Sequence, residues 1–101
     1  MPEELPLACS LSAADRRGRL AEIAALGAAN LRAAATAGNR AELRFCPEAR
    51  EPLEALIAAE ARCCPFLAFE LEQRPDEVRL TIEAPPDGEP VLEELVEAFR
   101  G

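Results

Sequence analysis

Apolar positions recur along most of the chain at intervals that choose between helix and strand. Leu20, Ile23, Ala24, Gly27, Leu31 and Ala34 are three or four residues apart, the period of a helix with one buried face. Ser12, with Asp15 three residues later, supplies a helix start, and Gly38-Asn39 supplies an end. One long first helix is expected, loosened in its middle by Gly27. The pattern then changes: Ala41, Leu43 and Phe45 alternate with Glu42 and Arg44, as in a short strand buried on one side.

A second helix is expected to begin between Glu48 and Pro52, because proline is tolerated in a first turn and not in a helix interior. Leu53, Leu56 and Ile57 form its apolar stripe, and the same period carried forward reaches Glu60 and Cys64, with Cys63 at the edge. Pro65 closes this helix by pushing the preceding residue out of helical geometry. Leu67, Phe69 and Leu71 alternate with polar neighbours, and so do Val78, Leu80, Ile82 and Ala84 beyond Arg74-Pro75-Asp76-Glu77, which predicts a β-hairpin. Val91, Leu92, Leu95, Val96 and Phe99 give a last helix with Pro90 in its first turn.

The predicted class is α+β, in the order α-β-α-β-β-α. A right-handed crossover would set the first two strands parallel and the hairpin would add an antiparallel third, giving a small three-stranded mixed sheet covered by helices. A chain of 101 residues, half of them apolar, suits one domain over residues 1–101. The termini, Met1 to Leu7 and Gly101, are expected to fray.

Composition narrows the function. The net charge of −8 opposes nucleic acid and anionic membrane as partners, since phosphate binding needs clustered Lys and Arg, and it suits a cationic partner. No run approaches the roughly 20 apolar residues of a membrane span, and Met1-Pro2-Glu3-Glu4 lacks the features of a secretory signal, so a cytoplasmic location is expected. A homodimer is compatible with these features. The absence of Lys and the abundance of Ala, Arg and Glu read as the bias of a GC-rich genome.

Four Cys and no His leave thiolates and carboxylates as the only materials for a site. Without a signal sequence, reduced thiols are expected rather than a disulfide framework. Burial alone accounts for many single cysteines. It accounts less well for the adjacent pair Cys63-Cys64 at a helix end closed by Pro65. Structural zinc sites use pairs spaced roughly C-x₂₋₄-C, unlike Cys9, Cys46 and a contiguous pair. Ions that accept two or three thiolates, such as Hg(II), As(III) or Cu(I), fit better.

The negative end of the helix dipole, with Glu60 one turn back, disfavours free thiolates and so disfavours a catalytic cysteine, whereas a bound cation displaces the protons itself. Glu60 stands where an apolar residue belongs. It is open to three roles: accepting thiol protons, supplying an oxygen ligand, or pairing with Arg62 or another arginine. Cys9, before the first helix, is the candidate third thiolate, and Cys46 reads as a structural or incidental thiol.

The stretch Ala59-Glu60-Ala61-Arg62-Cys63-Cys64-Pro65-Phe66-Leu67-Ala68-Phe69, followed by Val78 to Pro85, resembles a group of small bacterial proteins. Their shared block runs glutamate, Cys-Cys, Pro or Ser, then aromatics, and is similar to tails of MerR-type metal-resistance regulators. Cys9-Ser10-Leu11 before an Arg-rich helix resembles the group as well. The resemblance implies thiol-dependent handling of a soft metal ion, of the mercury class among others, with Cys9, Glu60, Cys63 and Cys64 as site residues and no counterpart for Cys46. This chain has no DNA-binding segment of the regulator type, so it would act as a free-standing module. The expected function is capture of a soft ion for sequestration, sensing or delivery. A thiol oxidoreductase or organometal lyase, and an interaction domain with structural cysteines, are the alternatives.

Overall fold

The computed structural model describes the backbone of residues 13–63 and 65–101 and the side chains of residues 17–62 and 65–101. The expected helix start at Ser12 and the expectation for Met1 to Leu7 lie outside the described residues. Helix α1 covers Ala13–Asn30, followed without a gap by strand β1, Leu31–Ala37, and then by β2, Arg40–Phe45. A 3-10 turn, Pro47–Ala49, leads into helix α2, Arg50–Cys63. Strands β3, Ala68–Gln73, and β4, Val78–Glu83, precede a second 3-10 turn and helix α3, Glu89–Arg100.

The α+β class holds, and the sheet differs from expectation in two ways. It has four strands in the order β1-β2-β4-β3, and every neighbouring pair is antiparallel. The expected three-stranded mixed sheet is therefore corrected. β2 and β3 do run in the same direction, as a crossover through α2 requires, but β4 is inserted between them and bonds to both.

The second difference is the end of the first helix. Leu31 to Ala37 belong to a strand, and Gly38-Asn39 is the two-residue turn of a β1–β2 hairpin rather than a helix stop. Gly38 has φ +62 while Asn39 has negative φ, the pattern of a hairpin turn with glycine in its first central position. Asn39 also donates its side-chain amide to Ala84 O and accepts from Ala84 N at 2.9 Å, tying the turn to the end of β4. Because four of the seven β1 residues are alanine, the strand shows no alternation that a sequence pattern can register, and alanine favours helix when nothing pairs with it.

One face of the sheet carries the core. Ala41, Leu43 and Phe45 of β2 and Val78, Leu80 and Ile82 of β4 are buried, and the hydrophobic cluster continues through Ile23, Leu53, Leu92 and Phe99. Phe99 meets Phe45 edge to face with ring centres 5.4 Å apart. The other face is laced with exposed ion pairs, among them Arg40–Glu83 at 3.1 Å and Arg79–Glu42 at 3.3 Å. Such pairs contribute little to stability and keep that face solvated.

The helices lie on the apolar face: α3 over β1 and β2, α2 over β3, and α1 between them. α1 approaches α3 so closely that a Cβ on Gly27 would stand 1.9 Å from the carbonyl oxygen of Phe99. Gly27 is thus the point of closest helix contact, where its missing side chain is required, and not a loosened position.

Candidate functional site

Helix α2 is amphipathic because Leu53, Leu56 and Ile57 recur on one side, and it ends at Cys63, with a turn over Pro65-Phe66 before β3. The backbone of Cys63 is the last helical position. Its side chain, together with Cys64 and Cys9, lies outside the described residues. Among the described residues, no group of three His, Cys, Asp or Glu comes together in a way that could hold a metal ion.

Glu60 falls on the inward side of α2, as its spacing predicts, and only 6% of its surface is exposed. Its carboxylate does not meet Arg62. Arg19 of α1 donates from Nη1 to Glu60 Oε2 at 2.8 Å, and Arg19 Nε lies 3.9 Å from the exposed Glu22. Of the three roles open to Glu60, partnership with an arginine is the one this geometry displays. Any ion that takes an oxygen from Glu60 has to compete with that guanidinium.

Arg19 was not singled out by the sequence pattern, although a signal for it exists. Arg19, Ile23 and Gly27 are spaced by four, so Arg19 extends the buried stripe of α1 by one turn, just as Glu60 extends that of α2. Two helices that each carry one charge of opposite sign on the inward stripe are expected to join those charges when they pack, since an unpaired one would be costly.

The two helices run side by side in opposite directions. Arg19, near the start of α1, meets the end of α2, while Asn30, at the end of α1, meets the segment just before α2. There the Cys46 thiol donates to Asn30 Oδ1 at 3.0 Å and the Cys46 amide donates to Asn30 O at 3.0 Å. Beside it, the carboxyl of Glu48 is held below its ordinary range, first by its own backbone N–H and then by the Cys46 thiol.

Cys46 therefore has a local structural role. It also stands before the first residue of α2, and Cys63 is the last. At a rise of about 1.5 Å per residue the helix separates them by roughly 20 Å, far beyond the reach of one ion with bonds of about 2.3 Å to sulfur. Cys46 and Cys63 cannot share an ion in this fold.

Between α1 and α2 runs a groove of about 610 Å³, walled by the exposed Glu22 with Ala25 and Leu26 on one side and by Pro52, Ala55, Leu56 and Ala59 on the other. Arg19 and Asn30 stand toward its two ends. Among the described residues no helix is long and apolar enough to cross a membrane. The chain matches no protein-family model, no curated protein and no solved structure, so its chemistry has to be read from its own residues.

Proposed function

We propose that the protein captures a soft, thiol-seeking metal or metalloid ion of the Hg(II), As(III) or Cu(I) class, for sequestration, sensing or delivery. Cys63 and Cys64 are the principal thiolate donors, Cys9 is a third, and Glu60 contributes an oxygen by trading its contact with Arg19. The observation that carries this reading is the Arg19–Glu60 pair, 2.8 Å apart on the inward faces of two helices, with Glu60 three residues before Cys63 in the sequence.

Replacing a buried ion pair with well-packed apolar side chains is often neutral or stabilising, so stability alone is a weak reason for such a pair. A charged pair one helical turn ahead of a Cys-Cys sequence has a chemical use. An incoming cation replaces the guanidinium as counter-charge to Glu60, and the protons leaving the thiols pass to solvent. The net charge of −8 favours a cationic cargo over nucleic acid, and the likeness of the Cys-Cys-Pro-Phe block to MerR-type tails points the same way.

The test is titration of the reduced protein with Hg(II) and with arsenite, alongside Cys63→Ser, Cys64→Ser and Cys9→Ser variants. Loss of at least a hundredfold in affinity in the first two, with a smaller loss in the third, is expected from removing soft ligands. Wild-type affinity in Cys63→Ser and Cys64→Ser would end the proposal.

A further inference from the structure

The groove between α1 and α2 has one charged end and an apolar middle. Because the helices run in opposite directions, Arg19 and Glu22 stand by the end of α2 and Asn30 stands by its beginning. Between them lie Ala25 and Leu26 of α1 and the stripe Pro52, Ala55, Leu56 and Ala59 of α2. That stripe keeps the three- and four-residue spacing of a single helix face, and Pro52 and Ala55 leave it open to solvent. A volume of about 610 Å³ lies within the range of roughly 300–1,000 Å³ usual for small-molecule sites.

The two carboxylates at the charged end are unequal. Glu60 is buried and takes the Arg19 guanidinium at 2.8 Å, whereas Glu22 lines the groove with 75% of its side chain exposed and approaches Arg19 only to 3.9 Å. Glu22 is therefore the carboxylate placed to attract a cation. At the other end Asn30 is neutral, donating to Leu26 O at 3.0 Å and accepting from the Cys46 thiol. A second charge further along the groove would meet alanine, leucine and proline, where desolvation is costly. Among the described residues no aromatic ring lines the groove, which disfavours a quaternary ammonium, while a primary ammonium donates hydrogen bonds to a carboxylate.

We infer that the groove binds an amphiphilic primary amine, its ammonium at Glu22 and its hydrocarbon chain laid between α1 and α2 toward Asn30. Glu22 and Asn30 are eight residues apart, about 12 Å along the axis of α1, and an eight-carbon chain extends roughly 10 Å. The net charge of −8 adds a long-range attraction for the cation. None of the groove residues is a proposed metal donor, so amine binding and thiol capture hold or fail separately.

The experiment titrates the reduced full-length chain at low ionic strength with octylamine, butylamine, 1,8-diaminooctane and octanol. Octylamine is expected to bind at least tenfold more tightly than butylamine, because its extra methylenes leave water, and at least fivefold more tightly than the diamine. Glu22→Gln should weaken octylamine by at least threefold and leave octanol unchanged within twofold, a modest effect because an exposed carboxylate is screened. Ala55 is exposed on the groove wall, so Ala55→Trp should fill the groove and abolish octylamine binding at little risk to the core, with far-UV circular dichroism as the folding control.

Tighter binding of the diamine would reveal attraction to the acidic surface at large and overturn the inference, as would octylamine affinity that survives Glu22→Gln or Ala55→Trp. A wild-type dimer that Ala55→Trp converts to monomer would also overturn it, since the groove would then seat a second copy. A Cys63→Ser, Cys64→Ser double variant should bind octylamine as the wild type does. Loss of amine binding in that variant would move the amine out of the groove and end the inference, whereas loss of metal affinity alone bears on thiol capture.

Discussion

Helix α1 has two unlike flanks. Toward α3 it is packed so tightly that Gly27 is in backbone contact with Phe99, and no side chain of any size fits between them. Toward α2 it stands off, leaving a groove of about 610 Å³ lined mainly by small and aliphatic residues and bordered by the Arg19–Glu60 ion pair. The first flank is a close-packed interface of the kind that fixes a fold. The second leaves room along α2 from Pro52 to Ala59. One helix thus serves as a structural wedge on one side and as the wall of a candidate binding site on the other.

The contrast breaks most visibly at Gly27. Alanine is the better helix former by roughly 1 kcal/mol, but its Cβ would collide with a backbone oxygen that cannot move aside without parting the helices. Gly27→Ala should therefore destabilise by about 2 kcal/mol net, lowering the thermal midpoint by roughly 10 °C in a domain of this size. An unchanged or raised midpoint in a calorimetric scan would show that the α1–α3 contact is looser than described.

A smaller effect is expected on the other flank. Glu60→Ala removes the 2.8 Å contact of Arg19, and because that arginine also lies near Glu22 and retains 20% of its side-chain exposure the cost should be only about 1–2 kcal/mol. The double variant Arg19→Met, Glu60→Leu should recover most of the loss in urea titrations, with a coupling energy well above zero in the corresponding cycle. Additive losses would mean the two side chains do not act as a pair. Smallest of all, Ala55→Leu adds three carbons to the groove wall, yet should shift stability by no more than about 0.5 kcal/mol, because the space is open. A loss on the scale of Gly27→Ala would make the two flanks equivalent.

Much of this arrangement is legible in the residue order. The alternation in β2 and β4, the stripe of α2 and the proline-initiated α3 all appear where the pattern places them, since each has a buried face that only one period satisfies. Glu60 is legible too, as a carboxylate out of place on an apolar stripe, but its partner is not. Arg19 lies 41 residues away, and although its spacing with Ile23 and Gly27 puts it on the buried stripe of α1, nothing local says which element that stripe will meet. Strand β1 was hidden for a different reason. Leu31 and Ala34 fit a helical period as well as a strand, and alanine at four of the seven positions erases the two-residue alternation that would separate them.

Local periodicity, turn chemistry and the order of charges determined the α+β class, most element positions and the candidate thiol pair at the end of α2, because those depend on neighbours a few residues apart. Strand order, the insertion of β4 between β2 and β3, the close seat of Gly27 on Phe99 and the meeting of Arg19 with Glu60 were decided only by the tertiary structure. Each of these depends on which distant surfaces bury one another, and a hydrophobic stripe specifies that it must be covered without specifying by what.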